Sequence, residues 1–300
     1  MEKPLVSVLI PAIGNPHYVE LALTSVLLQT YTNIEIIIRD PSTTDTIQIL
    51  LEKEFLPYSN KITYIRDSKY MSKLNILQEL LKVSKGEYVT FLMEEDLLYP
   101  SKIEKMMNYF LRDNTNSIKL VTSYTEPIDI QGNILPVVNS ITKNHASDVQ
   151  WDSTIGSHFI LKYKDYVGGL SAPLFRKQDL IQPFGQFAGH QFIKDVEIAS
   201  WLTLLTQGSL VVIIDELTFE RKNIDNQKYK IDIDLITDWI SIIKLIKNSS
   251  NIYTKNIERI IVQKLLGWLS NLLANKQNIF SLMEQEKMNS YKNYLYELQT

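Results

Sequence analysis

An apolar run that ends in three acids constrains this chain more than any other stretch. Gly86-Glu87-Tyr88-Val89-Thr90-Phe91-Leu92 is largely apolar, Met93 follows, and Glu94, Glu95 and Asp96 stand together before Pro100. A run of this kind reads as a buried strand that delivers carboxylates to the edge of a sheet. Open α/β sheets bind ligands beyond the carboxyl ends of their strands. Adjacent carboxylates repel one another unless water or a cation screens them. A hard divalent cation with oxygen ligands would relieve that repulsion and bridge to a phosphate. An acidic turn leading into a helix from Ser101 is the alternative, and this stretch alone leaves both open.

The chain before it supplies the rest of such a sheet. Leu5-Val6-Ser7-Val8-Leu9-Ile10 is a buried strand stopped by Pro11, and Ala12 to Pro16 has turn chemistry. Leu21, Ala22, Ser25, Val26 and Leu28 mark one face of a helix ending near Thr30. A second strand, Asn33 to Ile38, is followed by Asp40; a helix is expected from Thr46 to Glu54, and a third strand over Ile62 to Ile65. Met71, Leu74, Leu77, Leu80 and Leu81 mark the next helix. Strands alternating with helices predict a mostly parallel sheet with right-handed crossovers over about the first 110 residues.

Beyond that point the pattern changes. Lys119 to Tyr124 reads as a strand and Ile128 to Leu135 as a hairpin or turn. Residues 139–165, polar with scattered aromatics, read as a long functional loop. Gly168 to Arg176 reads as a glycine-marked strand, Asp195 to Gln207 as a helix and Leu210 to Ile214 as a buried strand. From Asp232 onward three apolar stripes at helical spacing predict a helical region that packs on the rest, with a membrane-surface or dimer role as the alternative.

Composition narrows the function. The 300 residues are 45% hydrophobic and 22% charged, enough for a sizeable core, and a formal net charge of −3 argues against a broad nucleic-acid-binding face. The absence of cysteine removes disulfides, thiolate metal sites and cysteine nucleophiles. The four histidines, His17, His145, His158 and His190, lack zinc spacing. No apolar run approaches the roughly 18 residues of a spanning helix. A cytoplasmic protein is expected, with peripheral contact at the inner face of the membrane left open. The loop from Ala12 to Pro16 has one glycine and no basic residue, which argues against the phosphate-cradling loop of a nucleotidyltransferase.

Several motifs occur in a telling order. Val6 to Pro11 leads into Ser25-Val26-Leu27-Leu28-Gln29-Thr30-Tyr31-Thr32-Asn33-Ile34-Glu35; Asp40 precedes Ser42-Thr43-Thr44-Asp45; Gly86 to Pro100 carries the acids; Asp195-Val196-Glu197 precedes Trp201-Leu202. Together these resemble the family 2 glycosyltransferases of the GT-A fold, over about residues 4–225. The resemblance implies an α/β GT-A domain over residues 1–228, with a nucleotide-binding half to about residue 110 and an acceptor half after it. A helical region over 229–300 follows. It implies metal-assisted transfer of a sugar from a nucleotide-diphosphate donor, UDP being the expected nucleotide, to a carbohydrate, lipid-linked or protein acceptor, with inversion.

The resemblance also implies roles for residues. Pro11 and Ala12 would lie beside the nucleoside, and Asp40 would accept a hydrogen bond from the base. Lys69, or Lys73, would approach the pyrophosphate. Glu94 would face the ribose, and Glu95, with Asp96 as a second candidate, would bind Mn²⁺ or Mg²⁺. Asp195 would be the general base, with Glu197 in reserve. The chain departs from the family pattern at Met93 and Lys194, where acids are common, and offers Asn223 where some members have a histidine. A degenerate member that binds nucleotide-sugar without turnover is the alternative reading. The helical region is open to pairing two copies of the chain.

Overall fold

A strand with a single small polar residue among apolar ones is expected to be buried on both faces, and Val6–Pro11 (β1), Ser7 included, is buried at every position. The computed structural model describes residues 3–67, 69, 71–136, 145–222, 231–249, 251–274 and 280–299. β1 pairs in parallel with Ile34–Asp40 (β2) on one side and Tyr88–Phe91 (β4) on the other. Ile62–Arg66 (β3) extends the sheet beyond β2, also in parallel. Helices Pro16–Leu27 (α1), Thr46–Glu54 (α2) and Lys73–Val83 (α3) link these strands. α1 starts at a cap, Asn15, whose side chain accepts the His17 N–H, with Pro16 at the first helical position. It ends at Leu27, a turn earlier than the apolar pattern suggests.

The second half turns the sheet from parallel to mixed. Its elements are Leu97–Leu98 (β5), Lys102–Arg112 (α4), Ile118–Ile128 (β6), Val149–Trp151 (β7), Ser153–Val167 (α5), Leu174–Arg176 (β8), Gln186–Phe187 (β9), His190–Gln191 (β10), Val196–Leu205 (α6) and Ser209–Arg221 (β11). The strand order is β3-β2-β1-β4-β8-β6-β11-β5, and β7 pairs with β11. β8 runs antiparallel to both β4 and β6, so it is the seam between the first parallel set and the parallel β6–β11 pair.

Two sequence expectations are corrected here. Residues 139–165 do not form one long loop: 145–165 supply β7 and most of α5, whereas 139–144 lie outside the described residues. Asp152 caps α5 by accepting the Ile155 N–H, and Phe159, Ile160 and Leu161 bury its inner side. The glycine-marked strand shrinks to β8, because Gly168 to Pro173 form a loop rather than ladder. The turn at Ile128 to Leu135 is present, closed by an antiparallel bridge between Ile128 and Ile134, with Gly132 at φ +91°.

The motif from Ser25 to Glu35 acts as scaffold. Gln29 donates to the carbonyl of Tyr99 at 2.9 Å and accepts the Ile103 N–H at 3.1 Å, which ties the end of α1 to the start of α4. Tyr31 donates to the carbonyl of Pro4 at 2.6 Å. Glu35 accepts from Ser7 Oγ at 2.6 Å and from the N–H groups of Lys85 and Gly86 at 2.6 and 3.0 Å, pinning β1, β2 and the entry to β4 together. Gly86 is required there, since a Cβ would stand 2.6 Å from the Ser7 nitrogen.

The helical region continues the main core. Helices Ile233–Ile246 (α7), Lys255–Ala274 (α8) and Leu282–Glu297 (α9) bury the predicted stripes against α5 and α6 in one continuous cluster. Among the described residues no helix is long and apolar enough to cross a membrane. One polar contact of α7 is unusual. Asp238, 1% exposed, accepts the N–H groups of Ile193 at 3.1 Å, Lys194 at 2.7 Å and Asp195 at 3.1 Å. Replacing it leaves three backbone donors without their acceptor, the buried Asp195 N–H among them. Asp238→Ala is expected to cost about 2–3 kcal/mol of stability, read as a drop in the urea midpoint at neutral pH.

Candidate active site

The carboxyl ends of β1, β2 and β4 meet at one edge of the sheet. Pro11 and Ala12 are buried there, and the Ala12 N–H bonds the Arg39 carbonyl at 2.9 Å. Asp40 closes β2 with no exposure. Its oxygens accept the Ser42 N–H and the Tyr64 hydroxyl, each at 2.8 Å. Burial, with the Asp40 carboxylate beside it, keeps the Tyr64 hydroxyl protonated far above the usual tyrosine range. Arg39 points the other way and forks onto Asp67 at 2.8 and 2.6 Å. These residues form a rigid wall beside the acid turn.

The three acids of that turn have separate surroundings. Glu94 folds back to β1 and accepts the N–H groups of Ile13 at 2.5 Å, Gly14 at 3.2 Å and Asn15 at 3.4 Å, fixing the loop between β1 and α1. Burial raises its pKa, and the backbone donors of Ile13 and Gly14 oppose that rise. Asp96, 4% exposed, accepts Ser171 Oγ at 2.6 Å and the Arg221 N–H at 3.1 Å. Glu95 is half-buried, and its carbonyl accepts Arg221 Nε at 3.1 Å. Arg221 also donates to the carbonyls of Asp129 and Ile130 at 2.7 and 3.1 Å and lies 4.8 Å above the Tyr18 ring. Lys102 stands behind the turn without exposure, donating to Thr218 Oγ1 at 2.7 Å and to the Ser171 carbonyl.

At the start of α6 two carboxylates stand in opposite circumstances. Asp195, 2% exposed, accepts Lys164 Nζ on both oxygens, at 2.7 and 2.6 Å, and the Trp239 indole N–H as well. Its side chain caps no helix N–H. Glu197, 8% exposed, has one oxygen, Oε2, with no hydrogen-bond partner. It lines a cavity of about 50 Å³ together with Lys73, Met93, Asp96, Ser171 and Glu220. Burial raises its pKa; the charge of Lys73 opposes that and the charge of Asp195 adds to it. The cavity therefore joins the acid turn to the start of α6.

Residues 7–156 match the sequence model of the family described as Glycosyl transferase family 2, half of the chain. The chain belongs to this family. Relatives include a Rickettsia felis protein described as an uncharacterized glycosyltransferase, 34% identical over 132 residues, which are 44% of this chain and 21% of that one. A Rickettsia typhi protein with the same description is 34% identical over 124 residues, 41% of this chain and 37% of its own. The chain thus spans well under half the length of these two relatives. Among solved structures, Staphylococcus aureus TarS 1-349 in complex with UDP-GlcNAc superposes with a TM-score of 0.68 at 16% identity, covering 98% of this chain and 81% of TarS 1-349. The mannosyltransferase PcManGT from Pyrobaculum calidifontis, in complex with GDP-Man and Mn²⁺, gives 0.59 at 12% identity, covering 99% and 85%. These two likenesses are of fold, including the C-terminal helices.

Within this glycosyltransferase fold, Pro11, Ala12, Asp40, Glu94, Glu95 and Asp96 come together at one sheet edge, and Asp195 lies beneath the start of α6. Lys69 is exposed between β3 and α3, whereas Lys73 is the basic residue at the cavity. Lys194 turns outward to Asp232 at 2.8 Å. Asn223 lies outside the described residues. Arg221, Lys164 and Trp239 went unread in the sequence, since nothing local marks a residue whose partners lie 44 or more positions away; Lys164, 31 positions from Asp195, was hidden the same way.

The donor set bears on a metal. Among the described residues no group of three or more acidic or histidine side chains is arranged to hold an ion. The oxygens of Glu94 and Asp96 serve protein donors. Mg²⁺ and Mn²⁺ characteristically need only one or two carboxylates plus substrate phosphates, so a cation at this turn would be one shared with a bound diphosphate rather than one held by the protein alone.

Burial lowers the pKa of Lys102 to about 7, against the attraction of Asp96. An unfolded lysine titrates near 10.4. Between those values the unfolded chain holds a proton that the folded chain does not. Stability therefore rises with pH from about 7 to about 10 and is lost as pH falls through that window. Urea unfolding of wild type and Lys102→Met across that range should show the slope in wild type and its absence in the variant.

Proposed function

We propose that this chain transfers a sugar from a nucleotide-diphosphate donor, with UDP as the nucleotide, to an acceptor hydroxyl with inversion. The observation that carries this reading is the convergence at one sheet edge. Pro11, Ala12 and Asp40 are buried beside the acid turn, whose Glu94 is bonded to the Ile13 and Gly14 N–H groups, and the acid turn shares a cavity with a buried carboxylate of α6. Family membership supports the reading, as do fold neighbours solved with UDP-GlcNAc and with GDP-Man. Residues 1–228 form the GT-A unit, with donor recognition before about residue 110 and acceptor recognition after it, and 229–300 are the helical region docked on that unit. The acceptor is a carbohydrate, a lipid-linked sugar or a protein side chain.

The chemistry follows from the placement. The wall orients the nucleoside, and Lys73 supplies positive charge at the cavity mouth for the diphosphate. The acceptor oxygen attacks the anomeric carbon from the face opposite the diphosphate. The bond from that carbon to the phosphate oxygen breaks, and its electron pair leaves with the nucleotide diphosphate. The acceptor's proton passes to a carboxylate at the start of α6. A divalent cation at Glu95 would neutralise part of the charge on the departing diphosphate.

The departures at Met93 and Lys194, with the engagement of Asp195, favour a second reading, a nucleotide-sugar-binding module without turnover. Calorimetric titration tests both the binding and the shared-metal arrangement. Mn²⁺ alone should show no saturable binding below millimolar concentration. UDP with Mn²⁺ should bind at micromolar level, and Glu95→Ala or EDTA should weaken it tenfold or more. Absence of UDP binding under every condition, and of GDP binding likewise, would sink the donor assignment; binding without release of nucleotide from any sugar donor would favour the module.

A further inference from the structure

We infer that Lys164 is an exchangeable cap on Asp195, released by transfer to Glu197 when a donor diphosphate binds. The inference rests on the transferase reading above and deepens it. Proton transfer from an acceptor needs a carboxylate oxygen with an uncommitted lone pair that a hydroxyl can reach. In the unliganded fold the start of α6 offers none. Lys164 Nζ bridges both oxygens of Asp195 at 2.7 and 2.6 Å, and the Trp239 indole N–H takes Oδ2 again. The side chains of this pair are only 7% and 3% exposed. A carboxylate held by a buried ammonium is a poor proton acceptor. Glu197 Oε2, two residues on, is itself a buried atom.

Glu197 supplies the second seat for the lysine. Its Oε2 has no hydrogen-bond partner although the residue is nine-tenths buried, a rare arrangement that leaves a donor missing. Lys164 is the buried donor at hand. Burial raises the pKa of Glu197, and the charges of Lys73 and Lys164 both oppose that rise. Asp195 caps the start of α6 and Glu197 lies in its first turn. The flexible four-carbon stem of a lysine on α5 can therefore serve either carboxylate. Lys164 also follows a break in α5 at Tyr163, where φ is −116° and ψ 26°.

The donor provides the trigger. Lys73 is exposed and lines the same cavity as Glu197, Asp96 and Ser171, beside the acid turn. A diphosphate bound at that turn draws Lys73 toward itself, and Glu197 loses the balancing charge. Lys164 then moves to Glu197 Oε2, since a buried carboxylate stays ionised only with a cation beside it. The diphosphate favours the exchanged state because it competes for Lys73. Asp195 keeps the Trp239 N–H on Oδ2 and is left with Oδ1 uncapped. The acceptor O–H bond breaks and its proton goes to Oδ1. The acceptor oxygen bonds the anomeric carbon as the diphosphate leaves with its electron pair. Lys164 and Glu197 are thus positioning residues that act through Asp195, and the base is uncovered only when a donor is present.

The test uses the full chain, Glu197→Gln and the double variant Lys164→Met with Glu197→Gln. Nucleotide release is measured from UDP-GlcNAc, UDP-glucose, UDP-galactose and GDP-mannose with water as acceptor. UDP and GDP affinity by calorimetry, melting temperature and tryptophan emission with and without UDP are recorded alongside. Glutamine removes the second seat, so Lys164 stays on Asp195. Release by Glu197→Gln is expected to fall at least about a hundredfold, with melting temperature and UDP affinity unchanged. The double variant removes a cation and an anion together and uncaps Asp195, so release should recover at least about tenfold over Glu197→Gln. UDP should change the emission of wild type through Trp239, which bonds Asp195 and lies 5.7 Å from Lys164 Nζ. That change should be absent from Trp239→Phe and from Glu197→Gln. Glutamine also mimics a Glu197 that merely takes up a proton. Release by Glu197→Gln within about threefold of wild type therefore overturns the exchange. A double variant no faster than Glu197→Gln overturns it too. Should the double variant not fold, an emission change in Glu197→Gln equal to that of wild type overturns it instead. Wild type that binds neither UDP nor GDP, or that releases nucleotide from no donor, overturns the transferase reading and this inference with it.

Discussion

The buried carboxylate of Asp96 is the contact on which the rest of the site depends. A carboxylate placed under a strand end would be expelled from the interior unless donors replaced its water. Here the donors come from two distant segments, Ser171 in the loop before β8 and the Arg221 backbone at the end of β11. Lys102, buried behind it, adds an attractive charge and bonds the Ser171 carbonyl and Thr218. The turn that presents Glu94 and Glu95 is therefore held from behind by the second half of the sheet. Arg221 extends the hold, reaching the Glu95 carbonyl, the turn at Asp129 and the ring of Tyr18 on α1. A parallel sheet alone would bring strand ends together; this network fixes where the acids between them stand.

A second network does the same for α6, and it brings in the C-terminal helices. Asp238 of α7 gathers the N–H groups that lead into α6, and Trp239 next to it donates to Asp195. Lys164 of α5 completes the buried pair. Buried ion pairs contribute little net stability, but removal of one partner is strongly destabilising. The geometry at the start of α6 is thus over-determined by three helices. The helical region shapes the site from beneath while its apolar stripes close the core.

Much of the first half was legible because its signals are local. β-branched runs, punctuating Pro11 and Gly86, and helical spacing after each strand arise within a few residues of the elements they specify. α2 falls on the expected residues, and the acid turn lies at the end of its strand. The second half was less legible for a physical reason. α5 is polar on its outer face and aromatic inside, so its pattern resembles a loop until α6, β11 and α8 cover it. The motif from Ser25 to Glu35 was legible as a signature, yet its residues turn out to tie strands and helices together.

By itself the sequence determined the class of fold, the order of its elements and the family, because hydrophobic periodicity and short motifs are properties of neighbouring residues. It also determined which residue types stand at the strand ends. Tertiary structure alone decided which carboxylates are committed. Asp195 and Glu197 are two residues apart and equally acidic as text. One meets Lys164 and Trp239 in the interior, and the other meets a cavity. Partners 31 and 44 positions away in the chain make that difference, and only the packed fold brings them within hydrogen-bonding distance.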